Sequence, residues 1–188
     1  RDWQALKALE GHEAQLPDVW VRPFRSTDMH WAMKAWIEQQ RQHGLYDAYT
    51  SGLVARGLFY RQKRRGSTLH NRHALVAYHT KDKVYAWLSY IVDPQKLDDC
   101  EGFLIKPEPG MAAIQCFVCP EDAPLSLRET LLAHALTTLK GKGLRGVYAE
   151  VLTSDNTTMK LLLNNGFAEL EGLPDCSKTI LVKQCEPS

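Results

Sequence analysis

Residues 150–167 read EVLTSDNTTMKLLLNNGF, and this stretch decides the fold. A strand is predicted over 147–152, because its residues are mostly apolar and favour extended backbone. Asp155 and Asn156 are good helix caps, so the helix predicted over 157–165 begins after them and ends at Gly166. The segment therefore predicts a strand, a turn, a helix and a second turn, an arrangement that also occurs in ordinary α/β proteins.

The preceding residues repeat this strand and helix pattern. A short apolar run over 112–118, ended by Pro120, predicts a central strand. Apolar residues then recur at the 3.6-residue period from Leu127 to Leu139, which predicts a helix that ends at Gly141. The two segments together predict a strand-helix-strand-helix unit.

Further elements are predicted on both sides of this unit. They are strands over 19–24, 74–79, 84–92, 167–170 and 179–183, a helix from Ser26 or Thr27 to Gly44, and a helix over 47–63. The short polar stretch between the second and third of these strands is typical of a β-hairpin. The predicted fold class is α/β, with one domain over 19–188 and an N-terminal extension over 1–18.

The composition fits one globular domain. The chain has 188 residues, of which 44% are apolar, and this is enough for a sizeable core. Its formal net charge is +1, so the overall charge indicates neither a nucleic-acid-binding protein nor an acidic tail. Five cysteines, scattered and odd in number, favour a reducing cytoplasm. No apolar run approaches the roughly 18 to 20 residues of a membrane span, so we expect no membrane partner.

The order of the predicted elements, with a hairpin before the strand-helix-strand-helix unit, resembles the GNAT superfamily of N-acetyltransferases over residues 19–183. Residues 150–167 are similar to the family's strand, capped helix and Gly-Phe ending. The resemblance implies a mixed, mostly antiparallel central sheet with helices on both faces. It also implies acetyl-CoA as co-substrate and an amine of an unidentified acceptor as the second substrate.

The strand that ends at Val118 carries the first implied coenzyme contacts. Cys116, Phe117 and Val118 resemble the family's strand before the pyrophosphate loop, whose backbone groups bond the pantetheine arm of coenzyme A. Such a contact needs an unpaired strand edge, and Pro120 suits it because proline cannot donate to a strand ladder. The alternative is a core strand that ends in a turn.

The loop that follows departs from the family's pattern of Gln or Arg, two residues, Gly, one residue, and Gly or Ala. At the corresponding positions, 123–128, the chain reads APLSLR. Pro124 removes a backbone donor, and Arg128 stands where a small residue is usual. Two interpretations stay open: Ser126, Leu127 and Arg128 contact the coenzyme's phosphates, or the site is closed. A solvated Arg128 in the first turn of a helix is a further alternative.

The residues that would carry the chemistry are implied by counting back from Gly166. Glu150 falls where relatives carry a glutamate base, which makes it the candidate catalytic residue, and an exposed strand carboxylate is the alternative. Asp155 falls in the family's Asn position, with Asn156 one residue along, and either contacts pantetheine or caps the helix. Leu162 replaces the tyrosine acid of many relatives. The thiolate would then leave unaided, or another hydroxyl would replace that acid. The available tyrosines are Tyr46, Tyr49, Tyr90 and Tyr148, and a packed aromatic is the alternative for each.

Residues 56–73 form a basic segment with six Arg or Lys, two His and no carboxylate. In the superfamily this region borders the acceptor site. The segment is consistent with nucleic acid or another acidic partner, and a solvated basic face is the alternative.

A metal site is not expected. Cys116 and Cys119 have the spacing of a metal knuckle, but residues three apart on an extended strand point to opposite faces. A second cysteine pair that would complete such a site does not occur in the sequence.

Three functions follow from these observations. The first is an acyl-CoA-dependent N-acyltransferase with Glu150 as base. The second is a GNAT fold that has lost catalysis and serves as a binding, virion or complex component, which the 123–128 loop and Leu162 favour. The third is a nucleic-acid-directed GNAT-like protein, which only the basic segment favours.

Overall fold

The computed structural model describes residues 18–45, 72–92, 108–170 and 177–185. The elements in these ranges are β1 (Val19–Pro23), a 3-10 turn (Ser26–Asp28), α1 (Met29–Gln42), β2 (Arg72–His79), β3 (Val84–Val92), β4 (Met111–Val118), α2 (Leu125–Lys140), β5 (Gly146–Leu152), α3 (Asn156–Asn164), β6 (Ala168–Glu169) and β7 (Lys178–Gln184). Their order and positions confirm the predicted elements within these ranges. The helix predicted over 47–63 and most of the extension over 1–18 lie outside the described residues.

Within the described ranges, seven strands form one sheet in the order β1-β2-β3-β4-β5-β7-β6. The β4–β5 pair is parallel. Every other neighbouring pair is antiparallel. The mixed, mostly antiparallel sheet that the resemblance implied is therefore confirmed.

The described helices cover both faces of this sheet. On one face, which we call the α1 face, Trp36 of α1 packs with Val76, Trp87 and Cys116. On the other face, α2 and α3 contribute their leucines to the larger core cluster. Neighbouring residues of one strand alternate between the two clusters, as a pleated strand requires.

The pairing between β4 and β5 stops before either strand ends. Met111 to Ile114 pair with Gly146 to Ala149, whereas β4 continues to Val118. On its other side β4 stays paired with β3 as far as Val118, through a register shift that leaves Gln115 without an opposite residue. Such a bulge bends its strand. The edge of residues 115–118 that faces β5 consequently has no strand partner within the described ranges, and the predicted open edge is confirmed.

A buried ion pair fixes the start of α1 to β1. The Arg22 guanidinium donates to both oxygens of Asp28, at 2.6 and 2.8 Å, and both side chains are fully buried. The indole of Trp31 and the backbone N–H of Arg25 also donate to this carboxylate, each at 2.9 Å. The predicted helix cap at Ser26 or Thr27 is therefore wrong, because a 3-10 turn begins at Ser26 and Asp28 precedes the α-helix.

This arrangement predicts a loss of stability in acid. Burial alone would raise the pKa of Asp28, but hydrogen bonds from Arg22, Trp31 and the Arg25 backbone, with the charge of Arg22, lower it from 3.8 to about 2. A lowered carboxyl pKa stabilises the folded state above pH 4, so we expect about 2 kcal/mol to be lost between about pH 4 and 2. Urea unfolding at pH 7, 4 and 2.5 measures this loss. The variant Asp28→Asn should show a smaller loss, and an equal loss in both proteins would contradict the assignment.

Candidate active site

A cavity of about 30 Å³ lies where β4 and β5 diverge, beneath α1. It has room for about two water molecules. The residues of its wall carry aromatic and aliphatic side chains, three side-chain amides, two carboxylates and one ammonium group. They are Trp36, Gln39, Gln40, Gln115, Cys116, Phe117, Glu150, Val151, Leu152, Asp155, Thr158 and Lys178.

Glu150 projects from β5 into this cavity. Its side chain is 3% exposed, so the alternative of an exposed strand carboxylate is wrong. The ammonium of Lys178 on β7 donates to Oε1 at 2.7 Å. Lys178 lies two residues from Ile180, which pairs opposite Glu150, so both charged side chains stand on the α1 face.

The three implied pantetheine-binding residues do not have equivalent positions. Cys116 and Phe117 line the cavity, and Val118 packs in the α1-face cluster. The side-chain amide of Gln39 donates to the backbone carbonyl of Phe117 at 3.1 Å. A ligand that donates to this carbonyl would share it with the Gln39 amide or would displace that amide.

Arg128 of α2 is buried near the point where β4 and β5 diverge, on the side of the sheet that α2 and α3 cover. Arg128 is 4% exposed, so the alternative of a solvated arginine is wrong. The guanidinium donates to the hydroxyl of Thr158 at 3.0 Å and to the carbonyl of Cys119 at 3.4 Å, and lies 4.0 Å from the Asp155 carboxylate. Arg128 thereby connects the end of β4 with the start of α3.

The other implied coenzyme contacts lie around α2 and α3. Ser126 is half-buried in the first turn of α2, and Leu127 is fully buried in the core. Asn156 is exposed at the first position of α3. The structure therefore brings Cys116, Phe117 and Glu150 together but does not place Ser126, Leu127 or Asn156 in the same cavity.

Asp155 caps α3. Its carboxylate accepts hydrogen bonds from the backbone N–H of Thr158 at 3.1 Å and from the hydroxyl of the same residue at 2.8 Å. The capping alternative for Asp155 is confirmed. After the helix, Gly166 adopts a φ of 88°, a left-handed conformation that glycine tolerates best.

The described part of the chain places no tyrosine in the cavity wall. Leu162 is fully buried in the core, as an apolar residue is expected to be. Tyr90 belongs to the cluster under α2 and α3, and burial raises the pKa of its hydroxyl. Tyr148 packs with a small cluster elsewhere on the sheet. These two tyrosines are therefore not placed to replace the missing acid, and Tyr46 and Tyr49 lie outside the described residues.

Cys116 and Cys119 point to opposite sides of the sheet, as their spacing predicted. Cys116 packs in the α1-face cluster and Cys119 in the larger cluster. Burial raises the pKa of the Cys119 thiol to about 11; the charge of Arg128 opposes this rise, and Asp155 and Asp122 add to it. Cys119 is thus a protonated core residue at neutral pH.

Of the basic segment, only residues 72 and 73 lie within the described ranges. The ring of His73 stacks on Tyr90, with centroids 5.2 Å apart. Burial, with the nearby charge of Lys142, lowers the pKa of His73, which disfavours a cationic role at neutral pH. The nucleic-acid hypothesis stays a prediction from the sequence.

Sequence reasoning missed five polar residues of the cavity wall. They are Gln39, Gln40, Gln115, Thr158 and Lys178. Gln115 did carry a signal, because it is the one polar residue in the otherwise apolar strand Met111–Val118.

Of the described helices, none has the length and apolar character needed to cross a membrane.

Comparisons with known proteins agree with this geometry at the level of the fold. No family model matches the sequence, and no curated protein matches it. A GCN5-related N-acetyltransferase from Kribbella flavida superposes with a TM-score of 0.65, at 15% identity over 89% of this chain and 98% of that chain. A PaiA N-acetyltransferase from Thermoplasma acidophilum, solved in complex with coenzyme A, gives 0.59 at 17% identity over 89% and 99%. An acetyltransferase of the GNAT family from Staphylococcus aureus Mu50 gives 0.60 at 11% identity over 88% and 98%.

The chain therefore has the fold of the GNAT N-acetyltransferases. The near-complete coverage of those structures indicates that the whole fold is shared, and the low identity leaves the activity open.

Proposed function

We propose that the protein is an acyl-CoA-dependent N-acyltransferase, which moves an acetyl group from acetyl-CoA to an amine of an acceptor. The observation that supports this proposal is the cavity at the divergence of β4 and β5. It combines a buried carboxylate, Glu150, with the backbone of Cys116 and Phe117 on the part of β4 that does not pair with β5. A thioester arm and an amine would meet at this point.

The coenzyme would extend from this cavity toward α2. Backbone groups of residues 116–118 would bond the pantetheine arm. The first N–H groups of α2, at Leu125 and Ser126, would bind the phosphates, because a helix N-terminus favours anions. Leu125 also lines a groove of about 570 Å³ between α2 and α3, and Lys160 in the same groove supplies a positive charge for the nucleotide end.

In the proposed reaction, Glu150 accepts a proton from the acceptor's ammonium group. The free amine then attacks the carbonyl carbon of the thioester, so that a C–N bond forms. The nitrogen is cationic after this attack and loses its second proton to solvent as the C–S bond breaks. The sulfur leaves as a thiolate without a protein acid, since thiols are acidic enough to leave in this way. The proton on Glu150 returns to solvent or to the thiolate.

The proposal is tested by thiol release from acetyl-CoA in the presence of a panel of primary amines. We expect release that depends on both the protein and one class of amine, together with acetylation of that amine by mass spectrometry. Saturable binding of acetyl-CoA without transfer to any amine of the panel would favour a binding protein.

A second function is favoured by Arg128. Its guanidinium spans from the Cys119 carbonyl to Asp155 and Thr158, which is the side of the divergence that a pantetheine arm would cross. A cleft closed in this way, with Leu162 in place of an acid, fits a GNAT fold that binds a partner without catalysis.

Replacing Arg128 with alanine distinguishes these two functions. If Arg128 contacts phosphate, the change should weaken the binding of coenzyme A by about 10- to 100-fold, which is the contribution of a charge-assisted hydrogen bond. The binding of pantetheine should weaken less. If Arg128 closes the cleft, the wild-type protein binds neither ligand and Arg128→Ala gains binding. Calorimetry measures both cases. The variant Arg145→Ala is the matched control, because the Arg145 side chain is 63% exposed and pairs with Glu108 at the surface.

A further inference from the structure

The side-chain amide of Gln115 is buried without a hydrogen-bond partner. The residue is 4% exposed, and neither Nε2 nor Oε1 is hydrogen-bonded to any residue that the structure describes. The same residue lines the cavity that contains Glu150. Gln115 therefore presents two unsatisfied polar atoms at the candidate active site.

This burial is costly in the absence of a ligand. An unsatisfied buried donor or acceptor destabilises a protein by about 1–3 kcal/mol, and an apolar residue at this position would avoid that cost. The other residues of β4 are apolar and buried, so the core itself does not call for an amide. Gln115 also occupies the bulge of β4, and bulges are frequent where a strand directs a side chain toward an active site.

Two other donors near Glu150 already have acceptors. The amide of Gln39 donates to the Phe117 carbonyl, and the ammonium of Lys178 donates to Glu150. Of the described residues that line the cavity, Gln115 is the one whose buried side-chain polar atoms have no hydrogen-bond partner.

We propose that Gln115 is a catalytic residue whose side-chain N–H donates a hydrogen bond to the carbonyl oxygen of the bound acyl thioester. The inference rests on the proposed function. A base at Glu150 must lie beside the amine that attacks the thioester carbon, so the thioester carbonyl enters the same cavity of about 30 Å³. A preorganised donor in that space stabilises the negative charge that develops on the carbonyl oxygen during attack.

The test compares acetyl-CoA with S-ethyl-CoA, a thioether of similar size that lacks the carbonyl oxygen. We expect the wild-type protein to bind acetyl-CoA about 2- to 10-fold more tightly, which is the net value of one neutral hydrogen bond. The variant Gln115→Met keeps the volume and removes the amide, and it should bind the two ligands equally. Its unfolding temperature without ligand should also rise by about 2–4 °C, because the unsatisfied amide is gone.

Ser89→Ala is the matched control. The Ser89 hydroxyl is also buried without a partner among the described residues and lies opposite Cys116, but it does not line the cavity. This variant should retain the preference for acetyl-CoA. Gln115→Leu repeats the comparison if the methionine variant does not fold.

The outcomes separate the inference from the proposed function. Equal binding of both ligands by the wild-type protein, or a preference that Gln115→Met retains, overturns the role of Gln115 and leaves the proposed function standing. If the wild-type protein binds neither ligand, the proposed function is wrong and the inference is wrong with it.

Discussion

Replacing Asp28 with alanine is expected to destabilise the protein by about 3–5 kcal/mol, because the change leaves a buried guanidinium without its counter-charge. Arg22 is fully buried, and the carboxylate of Asp28 accepts two hydrogen bonds from it. The substitution also removes the acceptor of the Trp31 indole and of the Arg25 backbone N–H. The free energy of unfolding in urea at pH 7 measures the loss.

The double variant Arg22→Met with Asp28→Leu is the control for this prediction. Apolar residues of similar volume often replace a buried ion pair at little cost, so the double variant should recover most of the stability that the single variant loses. A loss below about 1 kcal/mol for Asp28→Ala would indicate that water reaches Arg22, and the buried pair would not hold α1 on β1.

Replacing Glu150 with glutamine is expected to lower kcat/KM for acetyl transfer by about 10²- to 10⁴-fold, the usual contribution of a general base. Glutamine keeps the volume and offers Lys178 an oxygen in place of the carboxylate that it contacts at 2.7 Å. The side chain can no longer accept a proton from the acceptor's ammonium. Activity is measured with the amine that supports thiol release, and binding of acetyl-CoA is measured beside it.

The variant Glu169→Gln is the control for Glu150→Gln. Glu169 is an exposed carboxylate on β6, so its loss removes the same charge away from the cavity. Glu169→Gln should keep full activity. If Glu150→Gln stays within about threefold of the wild-type rate, Glu150 is not the base.

The fold could be predicted from the sequence to a large extent because its signals are local. Strand and helix periods, together with the glycines that follow the three described helices, place the described elements to within a few residues. The start of α1 was missed because it depends on a contact between elements. The carboxylate of Asp28 binds Arg22 of the preceding strand, and no helix-cap pattern shows that pairing.

The candidate site could be predicted only in part. Counting from Gly166 located Glu150 in the cavity because the strand and helix between them contain no irregularity. Neither the partners of Arg128 nor the position of Gln115 follow from such counting. Arg128 meets Asp155 and Thr158 only because α2 packs beside α3. Gln115 enters the cavity through a bulge, which breaks the two-residue alternation on which a sequence argument relies.

Binding of acetyl-CoA to the unmodified protein tests the central claim most directly. The proposed function predicts saturable binding of one molecule per chain, with a dissociation constant below about 1 mM, in a calorimetric titration. It also predicts a rise in unfolding temperature that grows with the acetyl-CoA concentration, because a ligand that binds only the folded state stabilises it. No heat of binding and no change in unfolding temperature at millimolar acetyl-CoA would contradict the claim.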